Sequence, residues 1–156
     1  MKSLTDTQLS YLAGLLDGEG CLMIANTRGA SRYIPELNIT MTHERTIRTV
    51  ADWLEVPVKL VKRSNPKPHW KQQYALRMSG KRVAALCKLL LPYLITKHGQ
   101  AELVIAFAKT YIKQGGPSVR VPAAVFAKRK RLQGRVHRLN RPNLHPNCFH
   151  LHEIVE

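Results

Sequence analysis

The spacing of apolar residues switches between two periods in a fixed order, and that order admits few folds. Thr5 and Gln8 are spaced as a capping box, and Leu9, Leu12, Ala13, Leu15 and Leu16 follow at helical spacing until Gly18 and Gly20. Residues 21–27 then read as a strand. In the next strand Glu36, Asn38, Thr40 and Thr42 alternate with Pro35, Leu37, Ile39 and Met41, the period of a half-exposed sheet. Ile47, Val50, Ala51 and Leu54 restore the helical period before Pro57. Residues 58–63 and 70–79 flank the turn-rich Ser64-Asn65-Pro66-Lys67-Pro68 and form a second strand pair, with Tyr74, Leu76 and Met78 alternating with Gln73, Ala75 and Arg77. Helical spacing returns over 81–91, closed by Pro92, and from 99 or 100 to 113, closed by Gly115-Gly116-Pro117. The order α-β-β-α-β-β-α-α predicts an α+β domain: one four-stranded, largely antiparallel sheet with helices on one face and a polar, basic surface on the other.

With 156 residues the chain is expected to form one domain, a core over 1–116 followed by a basic C-terminal extension over 117–156 in which Pro122 opens at most a short helix through Leu132. The formal net charge is +15, and residues 56–101 and 103–152 contain no Asp or Glu. Such one-signed blocks attract polyanions, nucleic acid before anionic membrane. A membrane-embedded chain is not expected, because the best apolar run, residues 86–95, is broken by Lys88 and Pro92. The N-terminal residues carry no legible secretory signal. Cys21, Cys87 and Cys148 have unrelated spacings, which argues against a disulfide framework. His145, Cys148, His150 and His152 fit no common zinc spacing and read as a histidine-containing tail.

The most informative segment is Leu12-Ala13-Gly14-Leu15-Leu16-Asp17-Gly18-Glu19-Gly20. Gly14 and Gly18 stack on one helix face and allow a second helix backbone to approach, within one chain or between two. Asp17 and Glu19 sit at a helix C-terminus, where the macrodipole disfavours a carboxylate by ~0.3–1 kcal/mol. A bound divalent cation offsets that cost, since hard ions take carboxylate and backbone carbonyl oxygens.

This segment, followed at once by a strand, resembles the signature of the LAGLIDADG homing endonucleases, and the order of elements over residues ~5 to ~113 matches that family's αββαββα core. Glu19 stands where Asp is commonest in the family. The resemblance implies site-specific hydrolysis of both strands of a long, near-palindromic DNA target by an intron-encoded homodimer using Mg2+ or Mn2+. It assigns Glu19 and the Gly18 carbonyl to the metal, and Gly14, Gly18 and Ala13 to the dimer interface. Asp17 becomes a brace at the helix–strand junction and not a ligand. His43 is placed to orient the attacking water and Lys97 to stabilise charge near the scissile phosphate, completing a catalytic set of Glu19, His43 and Lys97. A His at a strand–helix junction also serves as a polar cap, and basic residues abound near Lys97, so neither assignment follows from the residues alone.

The expected DNA-binding residues are Glu36, Asn38, Thr40, Arg28 and Arg32 from the first strand pair, Lys59, Arg63, Lys71, Gln73 and Arg77 from the second, and Lys128, Arg129, Lys130 and Arg131 as phosphate contacts in the extension. Along the first strand neither alternation, Leu22, Ile24 and Asn26 against Met23, Ala25 and Thr27, is convincingly polar. Two other functions use the same fold: an RNA-binding splicing cofactor, which makes RNA an alternative partner, and a DNA-binding regulator that does not cleave. The expected location is wherever the host DNA lies, in an organelle or in a bacterial or phage-infected cytoplasm.

Overall fold

The computed structural model describes residues 3–27, 32–62, 65, 67–111 and 121–141. Arg28, Arg63 and the His145–His152 cluster lie outside them. Helix α1 spans Asp6–Glu19, and Thr5 starts it with both hydrogen bonds of the expected capping box. Strands β1 (Gly20–Thr27) and β2 (Arg32–Met41) pair antiparallel, followed by α2 (Glu44–Leu54), β3 (Val58–Leu60), β4 (Tyr74–Ser79) and α3 (Lys81–Leu90). A 3-10 turn at Leu91–Tyr93 leads into α4 (His98–Ala108), and α5 covers Ala123–Asn140. This is the expected α+β architecture, with a four-stranded antiparallel sheet in the order β1-β2-β4-β3.

Register settles which way each strand faces. Leu22 opposes Leu37 and Leu37 opposes Met78, and all three are buried against the helices. On the open surface Cys21 and Met23 therefore stand beside Asn38 and Glu36, with Arg77 and Ser79 beyond. Thus β1 presents Cys21, Met23 and Ala25 outward, an apolar rim on an otherwise polar surface.

The second strand pair is shorter than the sequence suggests. β4 begins at Tyr74, which leaves exposed Lys71 ahead of the strand, while the Gln73 carbonyl still accepts the Val61 amide at 2.9 Å. Helix α4 ends at Ala108, before the expected Lys113.

The larger correction concerns the C-terminal region. α5 has 18 residues and runs on to Asn140, past the short helix through Leu132 that the sequence suggests, and its Leu132 and Val136 are buried in the same core as Leu22, Ile24 and Phe107. The Phe126 ring lies 5.4 Å from the Tyr33 ring on the helical side of β2. Residues 121–141 therefore complete the domain, and the boundary drawn at 116 does not separate them from it.

Candidate active site at the end of the signature helix

Asp17 and Lys97 meet where α1 turns into β1, and Glu19 ends the helix there. The turn is tight enough to require glycine: a Cβ on Gly20 would lie 2.8 Å from the Leu16 carbonyl oxygen and 2.9 Å from its Cα, backbone atoms that cannot move aside. The last helical residue, Glu19, is exposed.

Asp17 turns inward to the segment after α3. Its carboxylate accepts the backbone amides of Ile95 at 2.8 Å, Thr96 at 3.2 Å and Lys97 at 2.8 Å. Partial burial raises the Asp17 pKa, but those amides and the Lys97 charge outweigh it and hold the carboxyl below its usual value. Lys97 completes the clasp by donating from Nζ to the Asp17 carbonyl oxygen at 2.6 Å. Its charge also reaches Cys21, where burial raises the thiol pKa and Lys97 works against that rise. Lys97 thus lies at the base of α1, near the first residues of β1, although it is 80 residues from Asp17 in sequence.

His43 occupies a different place. It is the N-cap of α2, with Nδ1 2.8 Å from the Thr46 hydroxyl oxygen and 3.4 Å from the Thr46 amide it accepts. It lines an open cavity with Tyr11, Arg45, Thr46, Thr49 and Trp53, a set that contains neither Glu19 nor Lys97. The polar-cap role open to it from sequence is the one its contacts display, and its Nε2 is the atom left for other work.

Along α1, Gly14 and Gly18 are exposed, and a Cβ on either would meet nothing within 4 Å. Ala13, assigned with them to the interface, is fully buried in the core of its own chain.

The open sheet surface carries Asn38, Thr40, Lys59, Gln73 and Arg77 together, as the alternation requires, with exposed Arg32 at the start of β2. Glu36 departs from its expected role as a free base-reading acceptor. It is 7% exposed and ion-paired with Arg77, whose side chain remains largely exposed. In so basic a chain the diagonal neighbour of a sheet carboxylate is readily a guanidinium, and the pair orients Arg77 instead of presenting Glu36.

Arg129 is a second correction. It donates from Nε to the Thr110 hydroxyl at 3.0 Å and from Nη2 to the Thr110 carbonyl at 2.8 Å, and stacks within 6 Å of the Phe107 and Tyr111 rings. It joins α5 to the end of α4, while Lys128, Lys130 and Arg131 stay exposed. Sequence gave no sign of the Ile95–Thr96–Lys97 amides or of Asn140, which donates from Nδ2 to the Leu22 carbonyl at 2.8 Å and ties α5 to β1.

A divalent cation fits the donor chemistry. Glu19 offers an exposed carboxylate beside the last carbonyls of a helix, which have no intrahelical partner. Among the described residues no three His, Cys, Asp or Glu side chains cluster to hold a metal.

No family model matches the sequence, and no curated protein matches it either. Solved structures do. The homing endonuclease I-CvuI, in complex with the I-CreI target and 2 mM Mg with its DNA not cleaved, superimposes with a TM-score of 0.66 at 19% identity, over 89% of this chain and 85% of that one. The archaeal intron-encoded homing endonuclease I-Vdi141I, complexed with DNA, gives 0.65 at 13% identity over 90% and 89%. The LAGLIDADG homing endonuclease I-GzeII, with its DNA target, gives 0.61 at 16% identity over 84% of this chain but 44% of that one. The chain has the fold of the LAGLIDADG homing endonucleases.

Proposed function

We propose that this protein is a homing endonuclease that cleaves both strands of a long, near-palindromic DNA site as a homodimer, with Mg2+ or Mn2+. The observation that carries the proposal is the Asp17–Lys97 clasp at the end of an α1 that closes on the exposed Glu19 and whose glycine face is open. That such solved neighbours as I-CvuI and I-Vdi141I hold DNA supports the substrate class.

Glu19 and the Gly18 carbonyl would hold the metal. When bound, it supplies Lewis acidity and lowers the pKa of an attacking water. The chain's own residues do the rest. Asp17 fixes the 95–97 segment, and the segment directs Lys97 toward the end of α1, where its charge opposes that of a phosphate. The open sheet surface binds the duplex and sets which phosphate reaches Glu19.

A single carboxylate per chain calls for a second copy. Close approach of two α1 helices at Gly14 and Gly18 brings both Glu19 residues to a two-fold axis and joins two sheets into one extended surface.

Gly14→Leu tests this directly. Gly14 is exposed and unobstructed, so leucine there improves helix propensity by up to ~1 kcal/mol and leaves one protomer intact. Between two chains it creates a steric conflict of at least ~1–3 kcal/mol. Sedimentation equilibrium is expected to give two wild-type chains per duplex and a monomeric Gly14→Leu. A wild type that stays monomeric on DNA overturns the homodimer.

A further inference from the structure

Helix α5 carries a cationic stripe away from the catalytic site, and two of its residues, Lys128 and Arg131, are among the phosphate contacts expected from sequence. Lys128, Arg131, Arg135 and Arg138 fall at i, i+3, i+7 and i+10, share one side of the helix, and are all exposed. None of the four forms an ion pair among the described residues, and α5 contains no acid. The carboxylate of Glu102 lines a shallow cavity with Arg135 and Arg138.

The stripe points away from the sheet's open surface. Leu132 and Val136 anchor α5 on the helical side. Gln133, His137 and Arg141 form the flank that meets the rim of β1 at Cys21 and Met23. At 100° per residue the stripe lies opposite that flank. A duplex lying on the sheet is therefore not the duplex that the stripe faces.

The stripe's chemistry is that of backbone contact. Its four cations rise ~15 Å along the helix, matching several phosphates of one strand spaced ~3.4 Å apart along the axis. Beside them stand Ala124, Ala127 and Gly134, small residues that permit close approach and offer no hydrogen bond to a base edge.

We propose that the outer side of α5 is a second, sequence-independent phosphate-binding surface that engages a DNA segment other than the one on the sheet. The proposal rests on the DNA-binding part of the function above, and not on cleavage. A protein with two such surfaces holds its target and a neighbouring segment at once, which permits direct transfer between segments during search.

The test uses the full chain with two random-sequence duplexes, one carrying a donor dye and the other an acceptor. Wild type is expected to bring the labels together. K128Q/R131Q/R135Q/R138Q is expected to lose the transfer signal, to keep one-duplex affinity within about tenfold, and to flatten the salt dependence of second-duplex binding by ~0.9 for each phosphate contact removed. R131Q/R138Q alone is expected to lose about half of that slope, and serves if the fourfold variant melts early. K88Q/K109Q, which removes charge elsewhere among the helices, is expected to bridge like wild type. Bridging that survives the fourfold substitution, its absence in a wild type that binds one duplex, or a loss confined to labelled RNA duplexes overturns the proposal. Normal bridging by a protein that never cleaves DNA leaves the α5 surface standing and removes the endonuclease reading.

Discussion

The two acids of the signature segment, two residues apart, have opposite surroundings. Glu19 is exposed at the helix end, whereas Asp17 accepts three backbone amides from a segment nearly eighty residues later. The motif's resemblance pointed to a brace at Asp17, but nothing in the sequence identified its partners, because a contact to main-chain amides leaves no mark on side-chain identity. Glu36 and Arg77 show a similar limit. Alternation placed both on the open surface, yet only the strand register reveals that they meet. Asp17→Asn is expected to lower the melting temperature at neutral pH and to displace Lys97, reducing turnover more than DNA affinity. Because the folded-state pKa of Asp17 is depressed, its contribution is present at neutral pH and is lost as pH falls below about 4. Thermal melts from pH 7 to pH 3 should therefore show the gap between wild type and Asp17→Asn narrowing with acid. A constant gap means that the clasp does not act through the charge.

Most elements were legible because their apolar periods are long and uninterrupted. The capping box at Thr5, the helical spacing through Leu54 and the alternation from Pro35 to Met41 all fold as they read. Helix α5 was obscured by its charge. Its buried stripe is reduced to Leu132 and Val136, flanked by partly buried Phe126, and the next inward position is Arg129, a cation whose planar head stacks on Phe107 and Tyr111. An arginine doing the work of an apolar residue hides the period from which a helix would be recognised. If α5 belongs to the domain, Leu132→Ala costs ~2–5 kcal/mol in chemical denaturation and shifts one cooperative transition. An unchanged midpoint, with α5 melting separately, would restore the picture of an appended extension.

At the scale of the molecule the sheet divides two kinds of surface. One side holds the core; the other presents Asn38, Thr40, Lys59, Gln73 and an Arg77 oriented by Glu36. Arg77→Ala is expected to relax base preference at one pair of symmetry-related positions by ~1–3 kcal/mol each, read by sequencing selected duplexes. A uniform loss across all sequences would instead mark Arg77 as a phosphate contact. Two-fold pairing through α1 would extend this surface over a long target and bring two Glu19 carboxylates together. The chemistry of that centre is read by incubating the protein with a randomised duplex library and Mg2+ and sequencing the cut ends. Wild type is expected to cut both strands at two-fold-related sequences only when the metal is present, and Glu19→Gln to bind those sequences within about tenfold while leaving them intact. Metal-dependent cutting by Glu19→Gln at the wild-type rate, or no cutting by a wild type that binds the library, contradicts the assignment.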